Sequence, residues 1–152
     1  MSAWAGKGVA SISIGDVRLG NMIMGPGHSI AAIVDWELST LGDPLCDAAQ
    51  VIMPFYIPET PIGRLDAAMA VELGIPSEQE LIAAYGEAAH WDELPDLRFH
   101  IALNLFRSAG INYGVGRRIA AGTSLDDVAF QWAATSIPLA AAARRYVEAN
   151  LL

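Results

Sequence analysis

Basic residues are scarce in this sequence. Nine Lys and Arg stand against 17 Asp and Glu in 152 residues, a net charge of −8. Neutralising a phosphate backbone takes clustered cations, so nucleic acid is excluded as a partner. The one basic pair, Arg117-Arg118, reads as a solvated helix face. Cysteine is nearly absent. The single Cys46 rules out an internal disulfide and fits a reducing compartment. It falls in an expected helix among apolar neighbours, so it is not read as a nucleophile. No apolar run reaches the roughly 18 residues of a membrane span. The N-terminus has Lys7 but no apolar leader core, and a cytoplasmic protein is expected. Gly6-Lys7-Gly8 lacks the spacing of a phosphate loop. His28, His90 and His100 have no metal-ligand spacing and read as surface or packing residues. Neither a nucleophile-elbow serine nor a paired Cys and His is present, which argues against a hydrolase.

What is there is apolar and helix-forming. Hydrophobic residues make up 53% and charged residues 17%, so the chain folds rather than staying disordered, and its length suits one domain. The apolar fraction is high for a free-standing domain. It suggests a face that is covered by a second lobe or another copy.

The expected architecture is α+β: a small β unit, then a mainly helical remainder. Residues 1–8 read as an unstructured lead-in and 9–152 as the folded domain. Strands are expected near 9–14, 21–24 and 29–34, with Gly25-Pro26-Gly27-His28 as the turn of a hairpin. Asp43 and Pro44 open a helix that stops before Pro54. Residues 54–63 read as an extended connector, and a short helix from Leu65 ends at Gly74. Ser77 and Glu80 form a capping box for a helix reaching His90. A long helix spans about Pro95 to Gly122, with Phe99, Leu103, Phe106, Gly110 and Tyr113 as its apolar stripe. Gly110, Gly114 and Gly116 imply close approach of a neighbouring helix. Ser124 caps the last helix, with Asp126 and Asp127 in its first turn. Pro138 kinks it, and Arg144 and Arg145 fall in its final turns. Trp36 and Phe106 read as core.

The β unit carries the chemistry. Asp16 is followed by four residues and then Asn21, and Asp35 ends the third strand. That is the layout of a kinase catalytic loop and its metal-binding aspartate. A carboxylate in hydrogen-bond reach orients an attacking hydroxyl, and hard oxygen ligands suit magnesium. Arg18 could face substrate or pair with a carboxylate. Asp43 reads as a helix cap and Asp47 as a structural hydrogen-bonding residue beside the loop.

The runs Gly15-Asp16-Val17-Arg18-Leu19-Gly20-Asn21-Met22-Ile23 and Val34-Asp35-Trp36-Glu37-Leu38-Ser39-Thr40-Leu41-Gly42-Asp43-Pro44-Leu45-Cys46-Asp47 resemble the C-terminal lobe of the aminoglycoside phosphotransferase family. Gly74-Ile75-Pro76-Ser77-Glu78-Gln79-Glu80-Leu81 and the helix of Phe106 extend the likeness, which is nearest to the kinase-like domains associated with acyl-CoA dehydrogenases. The resemblance implies a protein-kinase-like fold and an ATP- and magnesium-dependent transfer of a γ-phosphate to a small hydroxylated acceptor. The acceptors that the resemblance implies include aminoglycosides and choline for the family and hydroxyacyl compounds for the nearer branch. It implies Asp16 as catalytic base, Asn21 and Asp35 as Mg²⁺ ligands, Arg18, Asp43 and Asp47 as supporting residues, and the helices after Asp43 as the acceptor pocket. Two departures stand out. Ile14 replaces the motif histidine. The N-terminal lobe that covers the nucleotide has no counterpart here, so a truncated, inactive isolated chain is expected, its apolar face met by that lobe or by a homo-oligomer. The alternative is a non-catalytic binding or scaffolding remnant of the fold.

Overall fold

The computed structural model describes residues 10–58, 60, 65–92, 96–123 and 127–152. The chain is α+β, as its sequence leads one to expect. Among the described residues, two small antiparallel sheets come first, and six α-helices follow. Strand β2 (Met22–Met24) pairs with β3 (Ile30–Ile33) in the expected hairpin, Met22 opposite Ile33. Its turn needs two consecutive left-handed residues, Gly27 at φ 65° and His28 at φ 63°. Strand β1 (Ser11–Ser13) does not join that hairpin. It pairs with β4 (Thr40–Gly42), Ser11 opposite Gly42, a strand that local pattern did not suggest. The β unit is therefore two ribbons, with the polar loop between β1 and β2.

Helix α1 (Leu45–Ile52) follows β4 directly, and the Leu45 amide donates to Asp43 Oδ1 at 3.0 Å. A 3-10 turn, Met53–Tyr56, takes up Pro54. Helix α2 (Ala67–Leu73) starts at Asp66, which accepts from the Met69 amide, and ends at left-handed Gly74. Helix α3 (Glu78–Ala88) has the full Ser77–Glu80 capping box and ends before left-handed His90. Helix α4 (Arg98–Ala120) is the spine of the body. The expected starting points at Val9 and Pro95, and the Ser124 cap with Asp126, lie outside the described residues.

The core lies where α4 meets α1 and α6. Leu45, Ala49 and Ile52 of α1, Ile101 and Leu105 of α4, and Leu139, Ala143 and Tyr146 of α6 are buried together. The apolar stripe expected on α4 is on the wrong face. Phe99, Leu103, Phe106 and Tyr113 are exposed, while His100, Ile101, Asn104, Leu105, Ala109 and Asn112 are buried. Polar satisfaction at Asn104 and Asn112 permits that face to turn inward, although the buried Nδ1 of His100 has no hydrogen-bond partner among the described residues. Asn104 Nδ2 donates to the Cys46 carbonyl at 2.9 Å, and Asn112 Nδ2 to Thr135 Oγ1 at 2.6 Å, so two polar side chains sit inside without cost of an unmade bond. Trp36 and Phe106, read as core, are 45% and 46% exposed. Of the three helix glycines, Gly116 alone meets another helix: a Cβ there would lie 3.4 Å from Ala133 Cβ, whereas Gly110 faces open space.

The last helix is not one kinked rod. Helices α5 (Asp127–Ala134) and α6 (Ser136–Asn150) break at Thr135, three residues before Pro138. Fully buried Thr135 donates Oγ1–H to the Trp132 carbonyl at 2.7 Å and so ends α5. Pro138 then falls in the first turn of α6, where its missing N–H has no partner to lose. Arg144 and Arg145 precede the final turn.

Candidate functional site

Helix α1 positions the loop that follows β1. The Asp47 carboxylate accepts from the Ile14 amide at 2.6 Å and the Gly15 amide at 2.9 Å. Two charge-assisted bonds from one side chain hold the backbone just ahead of Asp16. One turn further along α1, Gln50 Nε2 donates to Asp16 Oδ1 at 3.1 Å. Positions 47 and 50 are i and i+3, so they share a helix face.

Gly15 is required here. Its φ is 80°, and a Cβ would meet the Leu38 carbonyl oxygen at 2.7 Å. That close approach packs the loop against the turn Trp36–Leu38, which begins immediately after Asp35.

Asp16 and Asn21 are in direct contact. Asn21 Nδ2 donates to the Asp16 carbonyl and to Asp16 Oδ2, both at 2.9 Å. Asn21 is buried, 4% exposed, so the contact is fixed. Asp35 arrives from the other strand. The Val34 amide donates to the Asn21 carbonyl at 2.9 Å, extending the β2–β3 pairing by one position, and Asp35 is the next residue. Asp35 is left-handed at φ 66°, a conformation that Asp tolerates better than most side chains and that turns the chain out of the strand.

Arg18 pairs with Asp16, Nε to Oδ2 at 3.0 Å, which resolves the choice left open by sequence. Its side chain is 57% exposed, so this ion pair is weak and displaceable. Burial pulls the Asp16 pKa up. The hydrogen bonds from Arg18, Asn21 and Gln50, with the Arg18 charge, outweigh burial and leave it below the usual carboxylate value. Asp43 is not at this centre: besides capping α1, it meets His100 Nε2 at 3.2 Å and ties α1 to α4. Cys46 is part-buried, and burial with the nearby Asp43 and Asp47 charges pushes its thiol pKa up, away from nucleophile chemistry.

Beside the loop lies a cleft of about 520 Å³ between β1, α1 and α3. Its walls are mainly apolar and include Ile12, Ile14, Val17, Val51, Leu81 and Tyr85. Among the described residues, no group of three or more His, Cys, Asp or Glu could hold a metal, and no helix is long and apolar enough to cross a membrane. Sequence reading missed one member of this neighbourhood, Gln50, while His100, read as a surface or packing residue, is buried against Asp43. Gln50 was findable from its helical spacing to Asp47. The His100 contact with Asp43 spans 57 positions and has no local signature.

Comparison with known proteins agrees with the loop. Residues 11–100 match the sequence pattern of the phosphotransferase enzyme family (APH). Acyl-CoA dehydrogenase family member 11 of Mus musculus is 38% identical over 129 residues, 83% of this chain and 17% of that protein. The Homo sapiens member 11 is 36% identical over 128 residues, covering 83% and 16%. Mus musculus family member 10 is 37% identical over 120 residues, covering 77% and 11%. The chain thus spans about a sixth of the length of the first of these relatives. No solved structure matches it. With its matched region running through β1, the polar loop and the helices that hold it, the chain belongs to the aminoglycoside phosphotransferase (APH) family of phosphotransferase enzymes.

Proposed function

We propose that the chain is the C-terminal lobe of an ATP-dependent phosphotransferase that passes a γ-phosphate to a hydroxyl of a small acceptor. The observation that carries this reading is the Asp16–Asn21 contact on a loop held by α1, with Asp35 one residue beyond the strand bond to Asn21. Asp16 orients the acceptor hydroxyl and takes its proton as the oxygen bonds to phosphorus. Like any ordinary aspartate it is ionised at neutral pH, and its lowered pKa makes it a weaker base, which suits an orienting group.

The donor set fits magnesium. With Nδ2 committed to Asp16, Asn21 offers Oδ1, and Asp35 offers a carboxylate. One or two protein oxygens, completed by phosphate and water, is how Mg²⁺ is usually held in nucleotide sites. When bound, Mg²⁺ with ATP supplies the phosphoryl group and neutralises its charge. The protein's part is to orient Asp16, release Arg18 and seat the acceptor. We assign the acceptor's body to the cleft flanked by Ile14 and Val17. Its apolar lining suits a hydroxylated molecule with an apolar body better than a polycationic sugar.

Phosphoryl transfer also needs a loop and a lysine over the phosphates. We assign them to a nucleotide-binding lobe in another segment or chain. Ile12, Ile23, Met24, Ile30 and Leu41 leave the β unit with an apolar surface, between 51% and 77% exposed, for such a lobe or a second copy to cover. A second reading, a non-catalytic binding or scaffolding module, is favoured by Ile14 at the motif histidine position and by the Arg18 hold on Asp16.

Incubation of the chain, with its nucleotide-binding lobe supplied in cis or in trans, with γ-labelled Mg·ATP and a panel of small hydroxylated acceptors tests the first reading. Transfer of label is expected, falling about 10²- to 10⁴-fold in Asp16→Asn. Equal transfer by that variant would reject Asp16 as the base. No transfer, together with no heat on titrating Mg·ATP, would favour the second reading.

A further inference from the structure

Gln50 has no place in the motif that defines the loop, yet it touches the one side chain the chemistry depends on. Among the described residues, three side chains hold Asp16. Arg18 and Asn21 come from the loop itself, two and five positions away. Gln50 is 34 positions away and, among the described residues, is the only tie from the helical body to this carboxylate. A loop residue cannot anchor its neighbour better than the loop is anchored, whereas a residue on a packed helix brings the frame of the core with it. Helix α1 provides that frame, since Ala49 is fully buried and Ile52 nearly so.

The other end of the same amide strengthens the argument. Gln50 Oε1 is buried and has no hydrogen-bond partner. An orphaned buried acceptor is destabilising, and a hydrocarbon side chain of like shape would remove that penalty. Turning the amide over does not help, because it would aim the oxygen at a carboxylate. Packing alone gives no reason for glutamine at this position. The bond from Nε2 to Asp16 Oδ1 does.

We infer that Gln50 is a positioning residue: from helix α1 it fixes the rotamer of the Asp16 carboxylate, leaving a lone pair directed at the acceptor hydroxyl. This rests on the reading of Asp16 as the base. Asp47 fixes the loop backbone and Gln50 the side chain, both from one face of one helix. A loop that moved as a unit would keep the Asp47 contacts and still lose the aim of Asp16 if Gln50 were gone.

The side-chain amide of Gln50 reports on the contact directly. In ¹⁵N–¹H spectra of the protein, one Gln50 amide proton should be displaced from the free-glutamine position and should return to it in Asp16→Ala. A Gln50 signal indifferent to that substitution would overturn the inference. Gln50→Leu is the second arm. It should keep or raise Tm, because the orphaned oxygen is gone. With the nucleotide-binding lobe supplied, it should also lower kcat at least tenfold while KM for nucleotide and acceptor holds. Gln50→His, which restores an N–H donor, should recover part of the loss. A Gln50→Leu protein that loses Tm but keeps kcat would make Gln50 merely structural and would also overturn the inference. If the protein supplied with its nucleotide-binding lobe transfers no phosphate while the amide signal still responds to Asp16→Ala, the phosphotransferase reading fails and the Gln50–Asp16 contact stands.

Discussion

The two halves of this molecule are held in different ways. The helical body is held by burial: Ile52, Ile101, Leu105, Leu139 and Ala143 are almost wholly out of water. The β unit is held by aimed polar bonds, with Asp47 and Gln50 reaching from α1 while Ile12, Leu19 and Leu41 remain largely exposed. Burial is non-directional and tolerates small shifts. Hydrogen bonds to two backbone amides and a carboxylate specify position. The body therefore provides stability and the β unit provides geometry, and the two should fail separately.

Substitutions can break that comparison. The largest effect is expected in the body. Leu105→Ala, at a fully buried site, should cost about 2–5 kcal/mol by urea or thermal unfolding. Asp47→Ala should come next, at about 2–3 kcal/mol, because two amides lose a charged acceptor. Its signature should be local: hydrogen exchange should speed up at Ile14 and Gly15 more than in α4 and α6. If α4 amides accelerate equally, the halves are not separable. Thr135→Val removes both bonds of the buried hydroxyl and should cost about 1–3 kcal/mol. At the small end, Leu103→Gln on the exposed face of α4 should change stability by no more than about 0.5 kcal/mol. A large loss there would mean that this face is covered in solution.

Acid should act on the loop. The Asp16 pKa is lowered in the folded protein, so its ionised form contributes stability above the unfolded-state value of about 4. That contribution is lost as pH falls through the folded-state pKa. Asp16→Asn should flatten this part of the pH–stability curve below pH ~4, because stability at neutral pH falls while the acid end is little changed.

Local signals made much of the molecule readable from sequence. Gly-Pro-Gly marked the hairpin, Ser77 and Glu80 the start of α3, Gly74 the end of α2, and the Asp16 to Asn21 spacing the loop. What was not readable depends on distant partners. Strand β4 exists because β1 lies beside it. The buried face of α4 includes Asn104 and Asn112, whose partners Cys46 and Thr135 come from other parts of the chain. Aromatic residues at regular spacing drew the core onto Phe99, Phe106 and Tyr113, yet the Ala-rich face of α6 packs against the smaller side chains instead. The α5–α6 break follows a buried hydroxyl, not the proline downstream of it.

The central claim is that Asn21 and Asp35 share one divalent cation beside Asp16, and paramagnetic broadening with Mn²⁺·ATP tests it most directly. Signals of Asn21, Asp35 and the Gly15–Asp16 segment should broaden first, and Asp35→Ala should abolish the effect. Broadening centred on another acidic stretch, or unchanged in Asp35→Ala, would contradict the account.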